Sequence, residues 1–526
     1  MSNNNDKRAR TALTVTLMMG ATVVSKLLGM LRSVFMADSY GTSTAANAFT
    51  AAYRIPNNFF DILFSAAIVG CFIPVYNSFS EEKSEERGDF ARIFLNFILL
   101  LTGALSIVGV IFARPIISLA APGLGPEAAE LAALLLRVLF PSIIFIGAAY
   151  TLVGVMQSKG RYLLPAAISS VSNFCVILYF IFLNDRLGER GIIGLGVAYL
   201  AAWGAQFLTL AIPLAISGVK YRPVLDFKNA AFLRAFKMLP TIMAGSWLIP
   251  VSNLAATYFA SFADGTGGAV SVFDYSWNIY IIIAGTLVYS VCQYLFPLLS
   301  RRSAEGDSGG FGASVSSGLL ALMALTLPFI SGALVLSREG VALMYLRGEF
   351  TPSDAENVAL TLRMLLSAVP AFAVNELFSR VYYSRGETKL PMLAALVGIT
   401  VNIACSAVTV RVFDMGLYAV ALSNALGQYA SAVILLICAA RMRVGIFTRS
   451  FFSDLIKIVA SGTVSSAAMA IIYVAFINRL PLSFAYEIGF AANLAVCAAV
   501  FIPAAAIYFI ILRLSKFSLL QKSPTP

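Results

Sequence analysis

The sequence predicts an all-α protein that crosses a membrane many times, and three observations carry that prediction. Of its 526 residues, 59% are hydrophobic and 12% charged, with a mean hydropathy of +0.84, well outside the range of water-soluble domains. Apolar runs long enough to cross about 30 Å of hydrocarbon, which takes about 20 residues each, recur along the whole chain. Words of the sequence also return at a nearly constant interval, as a duplicated helical bundle requires.

Fourteen runs have the needed length, at about 11–36, 46–77, 90–112, 128–156, 162–184, 191–218, 237–263, 269–299, 312–336, 353–383, 389–413, 416–440, 453–477 and 485–513. The opening MSNNNDKRAR has the flavour of a signal peptide, but the run behind it exceeds signal length and no small-residue cleavage site follows promptly. It is read as the first span. The chain has no histidine, which excludes histidine-based catalysis, histidine metal ligands and a histidine proton relay. Six cysteines (Cys71, Cys175, Cys292, Cys405, Cys438, Cys497) all fall in apolar runs without CxxC spacing and read as small packing residues. No metal or cofactor is expected, and no extramembrane loop is long enough for a catalytic domain.

A net charge of +11 raises the question of nucleic acid, but the charges are distributed for a bilayer. Loops assigned alternately from a cytoplasmic N-terminus put 23 Lys and Arg on one side, among them Lys7, Arg87, Lys159, Arg161, Arg385, Lys389 and Lys516. The other side has seven: Arg114, Arg186, Arg190, Arg338, Arg347, Arg411 and Arg479. This is the positive-inside asymmetry, and it predicts a multi-pass protein with both termini cytoplasmic and no nucleic-acid partner.

The repeat is clearest in two turns on the basic side, QSKGRYLLP (157–165) and YSRGETKLP (383–391), which share Ser-[Lys/Arg]-Gly-x-x-x-Leu-Pro. The glycines suit a left-handed residue after one helix, and the prolines suit the first turn of the next. Upstream, GPEAAELAALLLR matches TPSDAENVALTLR, so that Pro126/Pro352, Glu130/Glu356 and Arg137/Arg363 each lie 226 positions apart. Pro74 and Pro297 correspond at 223. Because that interval holds six spans, an even number, the copies share one orientation, a parallel repeat. The expected architecture is an N-lobe (1–218, six spans), a cytoplasmic linker (219–236), a C-lobe (237–442, six spans) and two extra C-terminal spans with a tail (443–526), working as a monomer. Two similar lobes around a midplane cavity suit a transporter.

Charges at membrane depth cost about 2.5–3.5 kcal/mol or more, so each is a functional candidate. Lys26 and Arg32 lie in the first span, about 9 Å apart along a helix. Arg54 and Asp61 follow in the second, one turn-pair apart, so mutual pairing is an alternative to a binding role. The cationic set Lys26, Arg32 and Arg54 favours an anionic substrate, and guanidinium suits phosphate oxygens. Asp274 lies near the outer end of the eighth span. Glu376 and Arg380, four apart, pair with each other or offer an ion site; Asn173 and Asn402 act as interhelical glue or as ion ligands. Arg137 and Arg363 read as snorkelling residues or as partners of Glu130 and Glu356.

SKLLGMLRSVFMADSYGTSTAANAFTAAYRIPN (25–57) resembles the signature of the MurJ (MviN) family of lipid II flippases, within the multidrug/oligosaccharidyl-lipid/polysaccharide exporter superfamily. FIPVYNSF (72–79), RGEFTPSDA (347–355) and RVYYSRGETKLP (380–391) extend the likeness over essentially the whole chain, including the two extra C-terminal spans. The resemblance implies a flippase of the bacterial cytoplasmic membrane that carries an undecaprenyl-pyrophosphate-linked cell-wall precursor from inner to outer leaflet by alternating access. It implies a lipid-linked anionic glycan as partner, with Lys26, Arg32, Arg54, Asn47, Asn57 and Asn278 toward the substrate. Coupling would fall to Na+, H+ or the membrane potential, with Asp61, Asp274, Glu376 and Asn402 as candidate groups. The chain departs from the family pattern at Lys26 (usually arginine), Ser33 and Asn47 (usually aspartate), Phe60 (usually arginine), Ser65 (often glutamate) and Asn278 (usually basic). Two alternatives stay open: a flippase for another polyprenyl-linked saccharide, or a drug/cation antiporter of the same superfamily, which the cationic set disfavours.

Overall fold

The computed structural model describes residues 2–60, 68–218, 221–263, 268–442, 444–477 and 489–521, and these residues are helical with no strand among them. In chain order the helices are α1 (Ser2–Tyr40), α2 (Thr44–Phe60), α3 (Ile73–Asn77), α4 (Ser84–Ile111), α5 (Ala113–Ala120), α6 (Pro126–Leu139), α7 (Ser142–Ser158), α8 (Leu163–Tyr179), α9 (Asp185–Leu187) and α10 (Gly191–Ile216). There follow α11 (Ala230–Ser246), α12 (Leu248–Phe262), α13 (Ala269–Ala304), α14 (Ser308–Val335), α15 (Ser337–Tyr345), α16 (Pro352–Leu366), α17 (Val369–Tyr383), α18 (Lys389–Arg411), α19 (Leu417–Arg441), α20 (Arg449–Ile477), α21 (Gly489–Leu514) and α22 (Ser518–Gln521).

Among the described residues nine helical stretches are long and apolar enough to cross a membrane, or eleven with two bent pairs each taken as one span. One of the nine, Leu163–Ile216, is 54 residues long and holds both the fifth and sixth predicted spans, α8 lying against α10. Four predicted spans are not single straight helices among the described residues: the fourth and tenth are the two bent pairs, α6/α7 and α16/α17, and the second and seventh are interrupted. The second runs through residues outside the description and then continues as a π-turn (Ile68–Phe72) and the short α3. The seventh is broken at Trp247, where Pro250 lacks the N–H that would continue α11 and its ring crowds the carbonyl four residues back.

The chain packs as two compact units, the first of Met1–Phe262 and Thr266–Ser271, the second of Ala263–Gly265 and Val272–Pro526. The sequence draws the boundary earlier, before the seventh span. Packing groups that span with the first unit instead, because α12 rests on α2 and α5 while α11 rests on α4 and the Ile68–Phe72 turn. An aromatic cluster of Phe72, Tyr76, Phe90 and Phe94, all 4% exposed or less, fills the interior where these elements meet.

Each unit repeats the other's internal construction. α4 and α14 are both 28 residues long and start 224 positions apart. Both end in a kinked residue of nearly identical backbone, Phe112 (φ −96°, ψ 21°) and Leu336 (φ −98°, ψ 23°). The α6/α7 pair bends by 41° and the α16/α17 pair by 44°. The packing partners correspond pair by pair: α4 with α7 and α14 with α17, α5 with α6 and α15 with α16, α8 with α10 and α18 with α19. In the second unit α18 and α19 approach so closely that a Cβ on Gly427 would lie 2.5 Å from the Gly398 carbonyl, so only glycine fits there.

The two signature turns share one backbone. Gly160 (φ 72°) and Gly386 (φ 76°) are left-handed, and the N–H of the next residue reaches back five residues, Arg161 to Met156 O (2.9 Å) and Glu387 to Tyr382 O (3.0 Å). These bonds satisfy carbonyls that the ends of α7 and α17 leave open. Pro165 and Pro391 then sit in the first turn of α8 and α18, where a missing N–H costs nothing.

The expected pairing of Arg137 and Arg363 with Glu130 and Glu356 does not form. Glu130 pairs instead with Arg114 (3.6 Å) and Glu356 with Arg338 (2.6 Å), a duplicated ion pair, while Arg363 donates to Ser337 Oγ (2.6 Å). α5 and α15 bring these arginines alongside α6 and α16, nearer than the side chain two turns along the same helix. The extra helices α20 and α21 pack on α14 and α15 of the second unit. Ser466–Ser331 (2.7 Å), Tyr508 to Ala324 O (3.0 Å) and Tyr473 to Glu339 (2.6 Å) hold them there.

Candidate substrate-binding site

Arg32, a cation of the first unit, stands among aromatic rings. Arg32 on α1 is half-buried, its guanidinium carbon 5.4 Å from the centre of the Tyr199 ring on α10. Tyr199 is itself met edge-on by Tyr53 (4.8 Å) and Phe49 (5.2 Å) of α2, and Phe49 stacks on Tyr53 at 5.9 Å. A ring face of negative electrostatic character holds the guanidinium by cation–π attraction. Arg54, next in sequence to Tyr53 and also half-buried, donates from Nη1 to Thr257 Oγ1 on α12 at 3.1 Å. Thr257 in turn donates to Asn253 O (3.1 Å), which orients its lone pair toward Arg54. Asn57 donates to the Tyr53 carbonyl one turn back at 3.2 Å. The structure therefore joins Arg32, Arg54 and Asn57 through one α2 segment, residues 49–57.

Lys26 lies two turns before Arg32 and is exposed. Its neighbours fix the helix: Ser25 meets Ser170 (2.5 Å), and Asn173 donates to Ser25 O (3.2 Å), so Asn173 serves as interhelical glue between α8 and α1. Asn47 is 1% exposed, and its Oδ1 accepts from the backbone N–H of Val270 (2.9 Å) and Ser271 (3.2 Å). That places it as a cap for the open donors at the start of α13. Asp61 and Ser65 lie outside the described residues, as does the side chain of Phe60.

The remaining candidates lie in the second unit. Asn278 donates to Asp274 Oδ2 one turn earlier on α13 at 3.2 Å. Glu376 is joined to Arg380 by a direct ion pair on α17, the arrangement its i, i+4 spacing predicts, and Arg380 also stands 6.0 Å from the Tyr289 ring. Asn402 is buried at the close crossing of α18 and α19, with Ser406 donating to its Oδ1 at 3.4 Å. Sequence reasoning missed Tyr199, Tyr53 and Thr257. A usable signal for Tyr199 was its repeat position, which is Ala425 in the second copy.

A chain of apolar helices made of two copies of one helix order, with two half-buried arginines inside the first copy, has the build of a membrane transporter. It belongs to the lipid II flippase MurJ family, whose model matches residues 36–518. Among relatives, it is 26% identical over 398 residues to a probable lipid II flippase MurJ of Vibrio cholerae, covering 74% of this chain and 75% of that one. It is 25% identical over 471 residues to one of Bdellovibrio bacteriovorus, covering 88% of each. Its fold is shared with a solved lipid II flippase MurJ in an inward closed conformation (TM-score 0.76, 22% identity, 95% of this chain and 100% of that one). It is also shared with an inward-facing multidrug resistance MATE family transporter of the MOP superfamily (TM-score 0.66, 16% identity, 82% and 98%).

Proposed function

We propose that the chain is a lipid II flippase, moving an undecaprenyl-pyrophosphate-linked cell-wall precursor from the inner to the outer leaflet of a bacterial cytoplasmic membrane by alternating access. The observation that carries this reading is the match to the family model along nearly the whole chain, joined to half-buried Arg32 over the Tyr199 ring and half-buried Arg54 on the Thr257 hydroxyl. The match begins at residue 36, so Arg32 and Lys26 enter on geometry and charge alone. A pyrophosphate diester is a compact dianion; two guanidinium groups and an ammonium group supply complementary charge, and sugars suit the faces of Tyr53 and Tyr199. Both termini face the cytoplasm on the basic excess of that side, and the protein acts as a monomer. Coupling uses Na+, H+ or the membrane potential, with Asp274, Glu376 and Asn402 as the groups that respond.

Replacing the resident lipid II flippase of a test bacterium with this chain tests the reading. Growth with normal cell shape supports it. Lysis despite correct membrane insertion overturns it in favour of another polyprenyl-linked saccharide. The drug antiporter reading is disfavoured by the cationic character of the site.

A further inference from the structure

The first of the two signature turns carries more net positive charge than the second: Lys159 and Arg161 with Arg87 nearby, against Arg385 and Lys389 offset by Glu387. Lys159 has its proton affinity lowered by partial burial and by the neighbouring charges of Arg87 and Arg161. Arg161 also donates to Ser217 Oγ (3.3 Å), which draws the end of α10 to the turn. Beside it opens a groove of about 520 Å³ formed by residues 160–164 and Ala167, with Tyr162 (42% exposed) and Leu163 (44%) presenting apolar surface. The duplicated copy provides an internal control. There the equivalent of Arg161 is Glu387, and the equivalent of Arg87, at the 224 interval of α4 and α14, is Phe311. Arg385, the counterpart of Lys159, stands over that Phe311 ring at 5.9 Å. One backbone turn thus occurs twice, once with Arg87 and Arg161 beside Lys159, and once with Phe311 and Glu387 in their places and Lys389 where the first turn has Leu163. A purely topological role would need no such difference, because either turn marks the cytoplasmic side.

We propose that the turn at Lys159 and Arg161, with Arg87 and the adjoining apolar groove, binds an anionic phospholipid of the facing leaflet, its phosphate on the cations and the start of an acyl chain against Tyr162, Leu163 and Ala167. Basic side chains at a membrane edge attract acidic lipids by about fivefold in binding per residue, and a neighbouring apolar groove separates lipid from soluble phosphate. This site is distinct from Arg32 and Arg54 and does not depend on which glycan the protein carries.

The test is native mass spectrometry of the purified full chain in detergent, titrated with phosphatidylglycerol or with phosphatidylcholine of the same acyl chains. Wild type should retain phosphatidylglycerol preferentially. Arg161→Gln should reduce that preference by about fivefold and Arg161→Glu, which copies the second turn, by about thirtyfold, while Arg385→Gln leaves it unchanged. Equal retention of both lipids by wild type overturns the proposal. So does an undiminished preference in Arg161→Glu protein that elutes as a folded monodisperse species. Displacement of the lipid by millimolar inorganic phosphate, but not by chloride of equal ionic strength, assigns the cations to a soluble anion and likewise overturns it.

Discussion

Replacing Tyr199 by leucine removes a ring that three neighbours touch: the Arg32 guanidinium at 5.4 Å, Tyr53 at 4.8 Å and Phe49 at 5.2 Å. Each aromatic pair is worth about 0.5–1.5 kcal/mol beyond the area it buries. The cation–π contact runs from about 0.5 kcal/mol when exposed to about 2 when desolvated, and the half-buried Arg32 falls near 1. Tyr199→Leu should therefore cost about 2–4 kcal/mol, of which only about 1 belongs to Arg32. A double-mutant cycle separates the two parts: Tyr199→Leu, Arg32→Ala and both together, compared by denaturant unfolding in one detergent. The expected coupling is about 1 kcal/mol, and Tyr199→Phe, which keeps the ring, should preserve the coupling. Transport should fall in Tyr199→Leu, because a guanidinium no longer held over a ring loses its aim, and persist in Tyr199→Phe. A coupling below about 0.3 kcal/mol would mean that the ring does not position Arg32, and the account of the site would fail.

Thr257→Val removes the hydroxyl that accepts from Arg54 and should cost about 1.5–3 kcal/mol in unfolding measurements, with Thr257→Ser close to wild type; equal costs for both would count against the bond. Lys26→Ala should change stability by less than about 0.5 kcal/mol, since the side chain is exposed, yet abolish transport when combined with Arg32→Ala. Full complementation by that double variant refutes the cationic site. Asn47→Ala should lose about 1–2 kcal/mol by uncapping α13, while a loss of transport without any loss of stability would return Asn47 to the substrate. Gly427→Ala should cost about 1–3 kcal/mol by forcing α18 and α19 apart, read as a lower thermal midpoint, and Gly427→Ala combined with Gly398→Ala should cost less than the two single losses added together, because one separation serves both contacts.

Much of the frame was legible because its causes are local. The left-handed Gly160 and Gly386 and the prolines after them follow from turn chemistry, and the intervals between them announce the duplication. The broken helices were not legible. The run 128–156 is apolar but for Glu130 and Arg137, and its 41° bend arises where Pro141 denies α6 a continuation that hydrophobicity alone would predict. For the site, Arg32 and Arg54 stood out because a charge in hydrocarbon is costly wherever it occurs. Their partners did not, since Tyr199 lies 167 positions from Arg32 and Thr257 203 from Arg54, and nothing in either residue's own helix marks it. Glu130 illustrates the same limit: its nearest cation along the helix, Arg137, was the obvious partner, but the kink at Phe112 swings Arg114 into that place.

What the two copies keep and what they change separates framework from function. Both retain the Schellman turn, the mid-span bend and the arginine–glutamate pair beside it, features that fix how helices join and that any copy of this bundle needs. They differ where one copy meets something the other does not. Glu339, 2% exposed, accepts from Tyr473 of α20; its counterpart at the 224 interval is Pro115, in a unit that has no extra helix pair to hold. Tyr199 carries Arg32 in the first unit, and the second has Ala425, with no arginine needing a ring at that point. The first difference is explained entirely by packing within the second unit. The second has no such explanation, because a tyrosine and a cation inside a membrane bundle cost more than the alanine that serves its twin. The asymmetry is what the proposed site predicts: positive charge in the first copy, where a substrate with a charged phosphate head would meet it.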